Sequence, residues 1–321
     1  MSLHVTSGRK TFGFALAFAT AVLWGILPIA LKVVLDTMDG YTITWYRLLV
    51  SGLLLFPIVA AGGNLPKLKK LQGKAWLLIF VCVLGLCGNY ILYILGLDRL
   101  TPSTAVVMIQ LAPIFLLVGG LMIFRERFSG RQYFGFVLLI IGLALFFNRN
   151  LEELFFGFGD YTIGILLILL SAIIWASYAL AQKQLLKNFP SETIMLIIYI
   201  GGIFLFLPFA HPARIFDLDG VELGLLAFCA LNTLFAYGCF SEALDHLEAS
   251  RVSAVLAVIP LVTIVGMKIL EVALPGFIKP EGLNFLSVFG ALLVVAGSML
   301  TALGQIETRP YQAGASARNR L

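Results

Sequence analysis

Few side chains in this sequence could do chemistry, and nearly all of them interrupt stretches that are otherwise apolar. Asn89, Gln110 and Asn232 place amides, and Trp24, Tyr93, Trp175 and Tyr178 place aromatic rings, within runs rich in Leu, Ile, Val and Phe. An amide carried into apolar surroundings is costly unless it meets a partner or water, so these groups should face inwards. On helical spacing Asn89 and Tyr93 lie one turn apart and share a face with Gly85 and Gly96; Ser171, Trp175, Tyr178 and Gln182 line a second face. Stripes of that kind suit a cavity wall that stacks and hydrogen-bonds a small solute. The competing reading is that such groups lock helices to one another.

Three cations also lie inside apolar runs: Lys32, Arg47 and Lys268. A long basic side chain near a helix end can carry its head out to the interface. If instead Arg47 and Lys268 face a cavity, they are candidates for recognising a carboxylate or phosphate. No Asp or Glu lies well inside any apolar run; Glu126, Glu242 and Glu271 fall at the ends. A proton or sodium relay would call for a carboxylate at mid-depth, so coupling should not depend on one. The histidines His4, His211 and His246 are far apart, and the cysteines Cys82, Cys87, Cys229 and Cys239 sit in apolar runs without metal-ligand spacing. No catalytic residue, metal or cofactor is expected.

The elements that must position these groups follow from composition. Of 321 residues 60% are hydrophobic and only 12% charged, with uncharged stretches long enough for helices that span a bilayer core about 30 Å thick. Ten spans are expected, over 12–34, 42–61, 75–96, 102–124, 132–147, 162–182, 193–210, 223–242, 251–270 and 284–304. The net charge of +5 does not point to nucleic acid, because the basic residues sit in loops between the spans. Fifteen of the 22 Lys and Arg fall on one side and four on the other, which puts both termini in the cytoplasm.

The chain also repeats itself. Asp98, Ser103 and Pro113 recur as Asp245, Ser250 and Pro260, each 147 residues later; Trp24 recurs as Trp175 after 151, and Gly135 and Gly142 recur as Gly290 and Gly297 after 155. Five spans per half is an odd number, so the second half must enter the membrane in the opposite sense. The expected organisation is a cytoplasmic tail over 1–11, a five-helix repeat over 12–148, an external linker over 149–161, an inverted repeat over 162–305 and a cytoplasmic tail over 306–321. Inverted repeats of this kind place a solute site near the midplane, where the halves meet. Trp24, Asn89, Gln110, Trp175 and Asn232 all fall near the centres of their spans, and Pro28, Pro113 and Pro260 can bend helices there and serve gating.

The runs GLDRLTPSTAVVMIQLAPIF (Gly96 to Phe115) and ALDHLEASRVSAVLAVIPL (Ala243 to Leu261) resemble the ten-helix EamA-type branch of the drug/metabolite transporter superfamily. Arg125-Glu126-Arg127-Phe128-Ser129 leading to Gly135 and Gly142, and Arg47 after Tyr46, add to the resemblance. The second half departs from it: about ten more residues separate Glu271 from Gly290 than Glu126 from Gly135, and they include Pro275, Gly276 and Pro280, assigned to an enlarged outer loop. The resemblance implies two inverted five-helix halves, a cavity built by helices 1, 3, 4, 6, 8 and 9, and rocking between outward- and inward-open states. Bacterial members often export amino acids or related metabolites across the inner membrane.

The expectation is therefore an alternating-access carrier of a small polar metabolite, an amino acid or relative, running outwards. The alternative within transport is an importer or antiporter of a phosphorylated or nucleotide-linked solute; from another class, a polytopic membrane enzyme or sensor. The partners expected are the solute and the bilayer, with oligomeric state left open.

Overall fold

The computed structural model describes residues 9–66, 73–115, 118, 129–157, 159–186, 189–247 and 249–303. Gly119, Gly120, the Arg125 to Phe128 run, Lys67, Lys69, Lys70 and most of both tails, on which several expectations rest, lie outside the described residues. Among the described residues every regular element is helical: α1 (Lys10–Val34), α2 (Gly40–Ala61), α3 (Gly73–Arg99), α4 (Pro102–Met108), α5 (Gly130–Phe146), α6 (Asp160–Leu185), α7 (Ser191–Phe206), α8 (Gly220–His246), α9 (Ala249–Leu256), α10 (Ile259–Ala273) and α11 (Phe285–Leu303). A short helix over Leu151–Phe156 and a 3-10 turn over Pro212–Asp217 fill two connections. Among the described residues seven helical segments, counting Arg251–Ala273 across the α9–α10 junction as one, are long and apolar enough to cross a membrane, and three shorter apolar ones, Pro102–Phe115, Gly130–Phe146 and Ser191–Phe206, accompany them.

Polar residues at the apolar boundaries start several of these helices. Asp39 accepts from the backbone N–H of Tyr41 and Thr42, both at 3.0 Å, and opens α2. Ser129 with Gln132 and Asp219 with Glu222 form reciprocal capping boxes at α5 and α8. Pro102, which has no N–H to leave unpaired, opens α4 beside its cap Thr101. Outward faces are apolar, with Phe18, Phe56, Phe204 and Val272 all exposed; water would penalise such a surface and acyl chains match it.

The halves interlock rather than stand side by side. α1 packs on α8 and α3 on α6, while α2, α4 and α5 pack on α7, α10 and α11. Exchanging the halves turns the first of these pairs into the second and leaves the other three unchanged, which is the signature of a twofold axis. The contacts run antiparallel: Gly135 meets Gly297 and Gly142 meets Gly290; Gly85 meets Tyr178 and Gly96 meets Ile168. Individual bonds obey the same relation. Ser171 Oγ donates to Asn89 O at 3.2 Å, and Thr20 Oγ1 donates to Ala236 O at 3.4 Å; Thr20 and Ala236 are the counterparts of Ser171 and Asn89 at the offsets read from the sequence. The two halves thus run in opposite senses.

The glycines make the closest approach possible. At Gly135, Gly142, Gly290 and Gly297 a Cβ would fall within 2.8 Å of backbone of the facing helix, so α5 and α11 touch main chain to main chain.

A hollow between the two halves as candidate functional site

Two helices that sequence reading treats as continuous are interrupted. After Met108 the chain tightens to a 3-10 turn over Ile109–Leu111, and α9 ends at Leu256 before α10 starts at Ile259. Pro113 and Pro260 explain the breaks, since neither can donate to the carbonyl four residues back. In the second break Leu261 N–H turns to Val258 O, leaving Ala257 O without its helical donor. Gln110 Nε2 takes that carbonyl at 3.0 Å, and the two residues are 147 apart, the repeat offset. One interrupted helix therefore closes the other.

Beside this crossing lies a hollow of about 260 Å³. Its walls come from both halves: Trp24, Leu27, Pro28 and Leu31 of α1; Arg47 of α2; Asn89, Tyr90 and Tyr93 of α3; and Gln110 and Pro113 after α4. From the second half come Trp175 of α6, Asn232, Thr233, Tyr237 and Phe240 of α8, Ser253 of α9 and Ser298 of α11. A liquid water occupies about 30 Å³, so the space suits a solute of a few to a dozen heavy atoms.

The three amides are arranged alike. Asn89 Nδ2 donates to Ser171 O at 3.1 Å and Oγ at 2.7 Å, Gln110 Nε2 to Ala257 O, and Asn232 Nδ2 to Leu23 O at 2.7 Å. Each nitrogen thus bonds a carbonyl of the opposite half, which fixes the amide orientation, since only the nitrogen can face a carbonyl. The amide oxygens are left without a donor among the described residues, and that of Asn232 is fully shielded. The nitrogens thus lock helices of the two halves together, and the three residues stand in the wall of the hollow, although the Asn232 oxygen itself is sealed from it.

The cations divide. Arg47 is 4% exposed, its Nε donates to Thr233 Oγ1 at 3.0 Å and its guanidinium carbon lies 4.9 Å from the Tyr90 ring centroid. It does not reach outwards; it faces the hollow. Lys268 is exposed and pairs with Glu271 at 2.8 Å, away from the hollow. Lys32 donates to the carbonyls of Leu97 and Asp98 at the end of α3. Tyr178 also lies apart, packed on Gly85 with its hydroxyl 3.6 Å from Met195 Sδ. Pro260 is buried beside the hollow without lining it, while Pro28 and Pro113 are in its wall.

Tyr90, Thr233, Tyr237 and Phe240 were not singled out from sequence. The signal was available, because Tyr90 and Tyr237, and likewise Tyr93 and Phe240, are 147 apart. Tyr237 packs edge-on to Trp24 at 5.2 Å between centroids. Among the described residues no cluster of His, Cys, Asp and Glu could hold a metal.

The sequence pattern of the EamA-like transporter family matches residues 11–148 and again 162–303. The chain belongs to that family. An uncharacterized transporter of Haemophilus influenzae is 39% identical over 92% of this chain and 96% of its own length. The inner membrane transporter YhbE of Escherichia coli K12, also uncharacterized, is 38% identical over 91% of each. A Salmonella typhimurium protein named a "probable amino-acid metabolite efflux pump" is 23% identical over 90% of this chain and 94% of its own. A crystal structure sharing 17% identity superposes with a TM-score of 0.61 over 92% of this chain and 98% of that one, which shows the fold. The family and these named relatives are transporters, so a membrane and a small-molecule solute are the partners the assignment brings.

Proposed function

We propose that the protein is an alternating-access secondary transporter that exports a small polar metabolite, an amino acid or a close relative, across a bacterial inner membrane. It has ten spans in two inverted repeats, 12–148 and 162–305, and both termini are cytoplasmic. The observation that carries this reading is the hollow shared by the halves, whose polar groups come from both and lie beside two interrupted helices. Interrupted helices at a repeat interface expose backbone and side-chain partners to a solute at mid-depth. Antiparallel halves that meet through small residues can rock about that site. The name of the Salmonella relative supports the substrate class and direction.

In this mechanism Trp24, Trp175 and Tyr93 shape and stack the solute, while Asn89, Gln110 and Asn232 hydrogen-bond it. The test is uptake and efflux of a labelled solute panel in proteoliposomes holding the full chain. The expected result is transport of at least one amino acid or relative, lost or weakened in Asn89→Ala and Asn232→Ala. If both variants leave every transported solute's rate and affinity unchanged, the site assignment is wrong; if no solute of any class moves, the function is wrong.

A further inference from the structure

Arg47 is a buried charge without a counter-ion among the described residues. Among the described residues no carboxylate forms an ion pair with it, and its one hydrogen bond, from Nε to Thr233, leaves both terminal nitrogens of the guanidinium uncommitted. A guanidinium carries five N–H donors in a planar fork. Burying such a charge is strongly unfavourable unless it is paired and hydrogen-bonded. The ring of Tyr90 at 4.9 Å offsets only part of that.

The same hollow has a surplus of the opposite kind. Asn89 and Gln110 have given their nitrogens to carbonyls and keep oxygens that can accept. Asn232 is adjacent in sequence to Thr233, the residue that holds Arg47. The wall thus offers one fork of positive donors near acceptors that lack donors.

Resting on the transport reading above, we infer that Arg47 is the residue that selects the solute, by pairing with a carboxylate. The solute also carries a hydrogen-bond donor, an ammonium or hydroxyl, directed at the freed amide oxygens of Asn89 and Gln110. A planar carboxylate matches the guanidinium fork in two parallel bonds. A phosphate fits less well: it brings close to two negative charges at neutral pH, and Arg47 is the one cation among the described residues that lines the hollow.

The experiment compares the twenty L-amino acids with their C-terminal amides on the purified full-length protein, reading the melting temperature across a concentration series. An amide keeps the size, side chain and ammonium and loses only the carboxylate. The acids that stabilise the unmodified protein are expected to do so at concentrations at least tenfold below their amides, and phosphoserine to show no advantage over serine. In Arg47→Gln that preference is expected to vanish, and in Arg47→Lys to persist in reduced form. The acid-against-amide comparison needs no variant, so it decides the matter even if the substitutions fail to fold. Amides that match their acids overturn the inference, and so does an Arg47→Gln protein that still prefers acids. If amides are also transported while Asn232→Ala abolishes their transport, the carrier assignment stands and the carboxylate assignment alone falls. Amino acids that neither bind nor move, in a carrier that moves other solutes, overturn it equally.

Discussion

Adding one methyl group at Gly290 tests whether the helix interface, rather than the helices themselves, holds the two halves together. A Cβ there would sit 2.4 Å from Phe146 N, 2.6 Å from Gly142 O and 2.9 Å from Leu145 C, whereas ordinary contact begins at 3.4 Å. All three neighbours are backbone, so no side chain can rotate aside. To accommodate Gly290→Ala, α11 must draw back from α5 by about 1 Å, the difference between 3.4 and 2.4 Å. A gap of ~0.5–1 Å forfeits a quarter to a half of each dispersion contact along the seam, and overpacking of a close-packed site costs about 1–3 kcal/mol. The expected loss is about 2–3 kcal/mol, or on the order of 5 °C in melting temperature of the purified protein. Gly238→Ala provides the opposite sign. A Cβ at Gly238 meets nothing within 4 Å, and Ala exceeds Gly in helix propensity by roughly 0.8–1 kcal/mol, so this variant should melt at or above the parent. Equal melting of Gly290→Ala and the parent would refute the reasoning, as would a Gly238→Ala protein that loses as much as Gly290→Ala.

Three further outcomes follow from the geometry. Gln110→Leu leaves Ala257 O unpaired in the interior; an unsatisfied buried carbonyl costs about 1–3 kcal/mol, so the variant should melt earlier, whereas an unchanged melting temperature would show that the bond at the crossing contributes nothing. Glu281, in the loop before α11, accepts from Ser103 N–H at 2.9 Å, and burial raises its pKa. The folded state then holds that proton more tightly than the unfolded chain, so stability falls as pH rises from the unfolded value through the folded one. Glu281→Gln keeps an acceptor oxygen without the charge, and its melting temperature should equal or exceed the parent's at pH 7.5, with the difference shrinking towards pH 5; a deficit that grows with pH would reverse the sign. Tyr178→Phe, which removes a hydroxyl facing Met195 rather than the hollow, should leave transport kinetics unchanged in proteoliposomes.

Part of the lining of the hollow was legible in the sequence. Trp24, Asn89, Tyr93, Gln110, Trp175 and Asn232 were marked because polar and aromatic groups in apolar runs must find partners, and all six reach one hollow. Tyr178 shared a helical face with Trp175 yet packs on Gly85, because a stripe along α6 spans both the hollow and the seam with α3. Arg47 and Lys268 looked alike in sequence, each a cation within an apolar run. What separates them is a partner: Glu271 stands one turn from Lys268 and holds it at the surface, whereas Arg47 has Thr233 and Tyr90 from other helices.

The sequence by itself determined the apolar helices, though not the two interruptions in them, and the repeated landmarks, because uncharged length and matched offsets are local or periodic properties of the chain. It also determined that any site must do without a mid-depth carboxylate among the expected spans. Only the tertiary structure decided which face of each helix meets the hollow, that each amide uses its nitrogen on the other half, and that one of the internal cations turns inwards without a counter-ion among the described residues. Those outcomes depend on which helices pack together across the twofold relation, and contacts between residues about 65 to 240 positions apart leave no periodic trace in the chain that makes them.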